Sequence, residues 1–255
     1  MRLKGKIAII TGAGSGIGRA TAIKFAQEGA DVGILYAFEP GQAEETARMV
    51  VAAGRQALLL PADVRSKGQV EAAVALTLQT FGRLDVMVSN AAIYHWSPFL
   101  EIPEDEWDRV LETNLKGVFL CGQAAAQAMV AGGRPGKILL ISSTQSERPL
   151  VGTAHYGASK SGILSLARTM ALELAAHRIG VVVISPGVIE AAGNIRKLSD
   201  PVIRRQVERQ IPWQRVGQPE DVANLAAFLA SDEAEYITGC NISIDGGLLA
   251  AGPQI

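Results

Sequence analysis

Long apolar runs are missing from this chain. No stretch reaches the ~20 apolar residues that a membrane span needs, so no membrane partner is expected. Cysteine is scarce: Cys121 and Cys240 are the only two, far apart and in apolar segments. Buried free thiols in a reducing compartment are the expectation, not a disulfide framework. The two cysteines and the histidines (His95, His155, His177) show no metal-ligand spacing, so no metal is expected. Excess charge is absent too. The net charge is −1, which leaves no basic face for nucleic acid and no acidic tail. The start, Met1 to Lys6, leads into a short apolar run, Ile7–Ile10. That run is too short for the core of an export signal, and a cytoplasmic protein is expected.

What is present is apolar residues at 48%, charged residues at 19%, and 27 glycines, which suits many tight βα turns. Short aliphatic runs alternate with helical patterns. Strands are expected at 6–11, 31–36, 56–62, 84–89, 137–142, 180–185 and 241–244. Helices are expected at 17–28, 42–53, 67–81, 104–129, 153–177, 200–209 and 220–230. Strands apolar on both faces and separated by helices imply a doubly wound, Rossmann-like α/β fold with a parallel sheet covered on both sides. There is no repeat or linker, so 1–255 is expected to form one domain. Residues 186–218 have the weakest periodicity and read as a lid over the site.

Two motifs carry chemistry. Gly12, Gly16 and Gly18 fall between the first strand and the first helix, with Gly14 between them. Glycines there let the backbone approach a phosphate at a helix N-terminus. Further on, Tyr156 and Lys160 lie at i and i+4, on one face of a helix. A neighbouring cation lowers a phenol's pKa from its usual value of about 10, which yields an acid/base without histidine. An isolated pair of this kind also describes an ordinary solvated helix face.

The Gly-x-x-x-Gly-x-Gly spacing at the N-terminus, together with Tyr156-x-x-x-Lys160, resembles the short-chain dehydrogenase/reductase family along essentially the whole chain. Asp63-Val64, Asn90-Ala91, Asn114, Ser143 thirteen residues before Tyr156, Pro186-Gly187 and Asp245-Gly246-Gly247 fall in the family's order. The resemblance implies that Tyr156 moves the substrate proton, that Lys160 lowers its pKa and that Ser143 orients the reacting oxygen. It implies that Asn114 holds a proton-relay water. It assigns a nicotinamide dinucleotide to Gly12, Ser15, Gly16, Ile17, Gly18, Tyr36, Asp63, Val64, Asn90, Ala91, Pro186, Gly187 and Ile189, besides Tyr156 and Lys160. Four departures stand out: Ser89 and Ala92 replace the Asn and the Gly that flank Asn90-Ala91 in the family's pattern. Ala191 replaces a frequent Thr beside the nicotinamide, and Val182 replaces a frequent Asn.

Tyr36 stands where a carboxylate would select NAD, and neither Ala37 nor Ser15 supplies the cation common in NADP users. Glu39 disfavours a 2′-phosphate and Arg19 favours one. The balance leans to NAD, with dual use open. His155 before Tyr156 resembles the aldose 1-dehydrogenases of this family, as do the 194–201 segment and the loop from Ile93 to Phe99. A sugar substrate is therefore expected, oxidised at its C1 hydroxyl, with Tyr94, His95, Trp96, Gln145, His155 and Asn194 around it. Arg148 is the candidate for an anionic group on that sugar. A ketoacyl or steroid carbonyl reductase is the alternative, and a non-catalytic nucleotide-binding protein a third. The resemblance also implies a homotetramer paired through helices near 104–129 and 154–177 and the C-terminal strands.

Overall fold

The computed structural model describes residues 1–191, 194 and 198–251. Seven strands form one sheet: β1 (Ile7–Thr11), β2 (Asp31–Tyr36), β3 (Ala57–Pro61), β4 (Val86–Ser89), β5 (Gly136–Ile141), β6 (Ile179–Pro186) and β7 (Asn241–Ile244). All pairings are parallel, in the order β3-β2-β1-β4-β5-β6-β7. The order reverses between β1 and β4, and the crevice above that switch point is where such sheets bind ligands.

The described helices are α1 (Gly16–Gln27), α2 (Pro40–Ala52), α3 (Lys67–Phe81), α4 (Glu104–Leu111), α5 (Gly117–Ala131), α6 (Ala154–Leu174), α7 (Pro201–Glu208) and α8 (Pro219–Leu229). Successive strand residues face opposite sides of a sheet. Along β6, Val182 and Ile184 therefore enter one core with Phe25, Ile34 and Val222. Val181 and Val183 enter the other with Met87, Val118 and Ile163. This two-sided burial is why the central strands β1, β4, β5 and β6 are mostly apolar.

The expected helix over 104–129 is not continuous. A π-helical turn, Glu112–Lys116, separates α4 from α5. The wide turn carries Asn114, which is fully buried and bonded to the backbone of Ile93. Such turns are local insertions, often at functional sites. The described part of 186–218 is laced at its base: Gly217 donates to Val188 O (2.9 Å) and Glu190 to Gly217 O (2.8 Å). Leu198, Ile211 and Val216 form a small core of their own. Residues 192–193 and 195–197 of the expected lid lie outside the described residues.

Candidate active site

The β1–α1 turn shows what its glycines are for. Gly12 and Gly16 have φ of 65° and 52°, a region that side chains disfavour. A Cβ on Gly12 would come within 3.0 Å of Ala91 Cα. A Cβ on Gly18 would overlap Gly12 O and Ala13 Cα. Gly18 thus packs the helix closely against the loop behind the cleft. Asn90 Nδ2 donates to Thr11 O (2.9 Å), and the amides of Asn90 and Ala91 both donate to Thr11 Oγ1 (2.9 Å each). Asn90 therefore clamps the turn while lining the cleft.

A cleft of about 590 Å³ opens above this turn. Gly12, Ser15, Gly16, Ile17, Tyr36, Asp63, Val64, Asn90 and Ala91 line it, as expected of a dinucleotide site. Ser15 makes no side-chain cap on α1, which leaves the helix N-terminus for an anion. The cradle that a Cβ would fill and the uncapped helix end fit a dinucleotide's phosphates. Phe38 and Glu39 also line the cleft. Arg19 is turned to Thr46 Oγ1 (3.1 Å) and Gln42 O (3.2 Å), so it is already engaged by α2. The Asp63 carboxylate is gripped by Arg65 (3.0 Å from Oδ2 to Nε), which holds its pKa below the usual carboxylate range.

Pro186 ends β6, and Gly187 donates to Ile244 O (3.0 Å). A side chain on Gly187 would strike Asp245, whose carboxylate accepts from the amides of Gly247 (2.9 Å) and Leu249 (2.8 Å). The Ile189 side chain is buried and packs against Gly217, and its carbonyl accepts from Ala191 N (2.9 Å).

Ser143, at the end of β5, and Tyr156, in the first turn of α6, meet side by side. The Ser143 hydroxyl lies close enough to the Tyr156 phenol to act on its ionisation. Lys160 Nζ lies 5.5 Å from the centre of the Tyr156 ring, as the four-residue spacing requires. It donates to Ile141 O (2.9 Å) and not to the phenol. The expected depression of the phenol's pKa is reversed here. Burial pushes Tyr156 up to about 12, with a smaller opposing effect from Ser143, and burial pushes Lys160 down to about 8. Asn114 does not touch Lys160 directly. Its Oδ1 accepts from Ile93 N (2.8 Å), and its Nδ2 donates to Ile93 O (2.9 Å) and to Ser159 Oγ (3.3 Å).

Of the expected substrate residues, Tyr94 and Gln145 come to this group. The Tyr94 ring stands edge-on to Tyr156, 5.0 Å between centroids, and Gln145 lies near its hydroxyl, where it partly offsets the upward push of burial on the phenol's pKa. Gln145 Oε1 is buried with no protein partner. His95 lines the dinucleotide cleft instead, 3.4 Å from Arg109 Nη2. The others are engaged elsewhere. Trp96 donates its indole N–H to Val151 O (3.1 Å) and covers Gly152. Arg148 donates to Leu248 O (2.9 Å). Asn194 closes its own turn, its Oδ1 accepting from Ala191 N (3.1 Å). His155 is fully buried, with Nδ1 accepting from Tyr156 N (2.9 Å) and Nε2 3.0 Å from Glu106 Oε1. Both ring nitrogens of His155 thus have partners within the protein.

Thr11 and Glu106 were not anticipated. Thr11 directly precedes the first motif glycine, a position that could have singled it out. Glu106 carries no local signal.

A family profile described as enoyl-(acyl carrier protein) reductase matches residues 12–249. The chain is 41% identical over 249 residues to an L-rhamnose 1-dehydrogenase (NAD(P)(+)) of Sphingomonas sp. (strain SKA58), covering 96% of this chain and 97% of that one. It is 40% identical over 243 residues to a 3-oxoacyl-[acyl-carrier-protein] reductase of Staphylococcus aureus, covering 95% and 98%. A short-chain type dehydrogenase/reductase from Mycobacterium marinum superposes with a TM-score of 0.90 at 36% identity, covering 96% of each chain. With the strand order, the glycine turn and the Ser143–Tyr156–Lys160 group, these likenesses place the chain in the short-chain dehydrogenase/reductase family of oxidoreductases.

Proposed function

We propose that this chain oxidises the C1 hydroxyl of an aldose to its lactone. Tyr156 takes the hydroxyl proton, and Ser143 holds the reacting oxygen and stabilises its charge. The bound NAD(P) supplies the acceptor for the C1 hydride. In the protein alone burial keeps the phenol protonated, so its base form depends on added positive charge. Lys160 is one cation already in place, 5.5 Å from the ring centre, and a bound oxidised nicotinamide would add a second. Asn114 ties down the loop at Ile93. The cleft residues from Gly12 to Ala91, with Pro186, Gly187 and Ile189, hold the dinucleotide. NAD is the preferred form, because Arg19 is engaged by α2 and Glu39 lines the cleft.

One observation carries the sugar reading: Gln145 Oε1 is buried without a partner, beside the Tyr94 hydroxyl and the Ser143–Tyr156 pair. Buried acceptors are nearly always paired, and a polyhydroxylated ligand brings the missing donor. The 186–218 excursion is read as the cover of this space. The enzyme is proposed to act in the cytoplasm as a homotetramer. Exposed Phe119 on α5 and Leu172 on α6 give those helices apolar surface to pair.

The likeness to a 3-oxoacyl reductase favours a second reading, in which Tyr156 donates a proton to a carbonyl. The deciding experiment offers L-rhamnose, D-glucose and other aldoses with NAD and NADP, and a 3-oxoacyl thioester with NADH and NADPH, read by nicotinamide absorbance. Aldose-dependent reduction of NAD supports the sugar reading. Turnover of the thioester alone would replace it.

A further inference from the structure

Glu106 sits in the first turn of α4, outside the lining of the dinucleotide cleft, yet two segments converge on it. Ser97 Oγ donates to its Oε1 (2.6 Å), from the loop that carries Tyr94. His155 Nε2 approaches the same oxygen (3.0 Å), from the first turn of α6. His95 Nδ1 lies 3.7 Å from its Oε2. The Ser97 and His155 bonds, in that order, hold the Glu106 carboxyl below the ordinary range.

The tautomer of His155 follows from its contacts. Nδ1 accepts from the Tyr156 amide, so the ring proton is on Nε2 and is donated to Glu106. Helix first-turn amides lack intrahelical acceptors. Thr153 offers α6 no side-chain cap, and the His155 ring supplies an acceptor to the residue that bears the phenol. The Tyr94 loop is bracketed by one helical stretch. Asn114, in the π turn, holds Ile93 at one end, and Glu106, in α4, holds Ser97 at the other. The loop is further tied to the start of α6, because Ser97 N donates to Gly152 O (2.9 Å). Between these anchors, Tyr94 rests edge-on against Tyr156.

We propose that Glu106, acting through His155 and Ser97, is a positioning residue that sets Tyr156 and Tyr94 against each other. It touches neither substrate nor cofactor. The inference rests on Tyr156 being the acid/base and assigns the Glu106–His155 pair the task of holding it in line. Misplacement by about 1 Å costs up to about 100-fold in rate, so loss of the pair should act on turnover and not on the dinucleotide.

The chain has four tyrosines, so 3-fluorotyrosine labelling gives four ¹⁹F resonances. Spectra of the full chain are compared with those of Glu106→Gln and His155→Leu. The Tyr94 and Tyr156 signals should move, while Tyr36 and Tyr236 stay in place. With L-rhamnose and NAD, kcat should fall about 10- to 100-fold, with the NAD dissociation constant unchanged within about twofold. Should His155→Leu fail to fold, Ser97→Ala tests the same node and should move the Tyr94 signal most. Unmoved spectra in Glu106→Gln would overturn the proposal. So would movement of all four signals with parallel loss of NAD binding, since that describes general loosening. Selective ¹⁹F movement in a protein inert toward L-rhamnose would leave the positioning role standing and count against the sugar reading.

Discussion

At the β1–α1 turn, backbone lies against backbone: Gly12 on Ala91, Gly18 on Gly12, Asn90 and Thr11 stitching the two loops. Across the sheet, at Tyr156, side chains make the contacts, and they come from the 93–97 loop, α4 and α6. The first region is built from residues within a few positions of one another plus a single partner loop. The second draws on Glu106 and His155, 49 residues apart. A nucleotide end of this kind tolerates almost no side chain. A substrate end of this kind can change its ligand by exchanging side chains while the backbone stays in place.

The strongest way to break the comparison is at Gly18. Gly18→Val should abolish NAD binding, because its Cβ has no room beside Gly12 O and Ala13 Cα. Dinucleotide titration by fluorescence checks this; binding that survives would mean the loop is not held by close approach.

Lys160 sharpens the contrast through pH. Its folded pKa is about 8 against an ordinary 10.5, so the unfolded chain holds that proton more tightly. Below pH 8 both states are protonated and the burial penalty is fully present. Between pH 8 and 10.5 folding releases the proton and wild-type stability recovers. Lys160→Met lacks the penalty at every pH. Its stability relative to wild type should therefore decline by on the order of 2 kcal/mol from pH 7 to 10, measured by urea unfolding. A difference independent of pH would show that Lys160 is not buried as a strained cation.

The smallest effect is expected at Tyr36, on the rim of the cleft. Tyr36→Asp places a carboxylate where the ribose 2′-hydroxyl is recognised, and should raise the NAD-over-NADP ratio of kcat/KM about tenfold. An unchanged ratio would move the determinant to Phe38 or Glu39.

The same contrast explains what could be read from the sequence. β2 and β7 fall where their apolar runs put them, at Asp31–Tyr36 and Asn241–Ile244. The glycine turn is legible because Gly12, Gly16 and Gly18 fall together in one short segment between a strand and a helix. The break at Glu112–Lys116 is not, because the partner of its Asn114 is Ile93, 21 residues upstream. His155 is turned toward Glu106 for a geometric reason. Neighbours on a helix project about 100° apart, so adjacency to Tyr156 points it away from the phenol's partners. The i,i+4 spacing put Lys160 beside Tyr156 correctly. The direction of the pKa shifts depends on burial, which the motif does not encode.

The most direct test of the account is Tyr156→Phe, assayed with L-rhamnose and NAD beside the NAD dissociation constant. Loss of a positioned acid/base should lower kcat by about 10³-fold with NAD affinity unchanged. Turnover at the wild-type rate would contradict the assignment of Tyr156, and with it the account of the site.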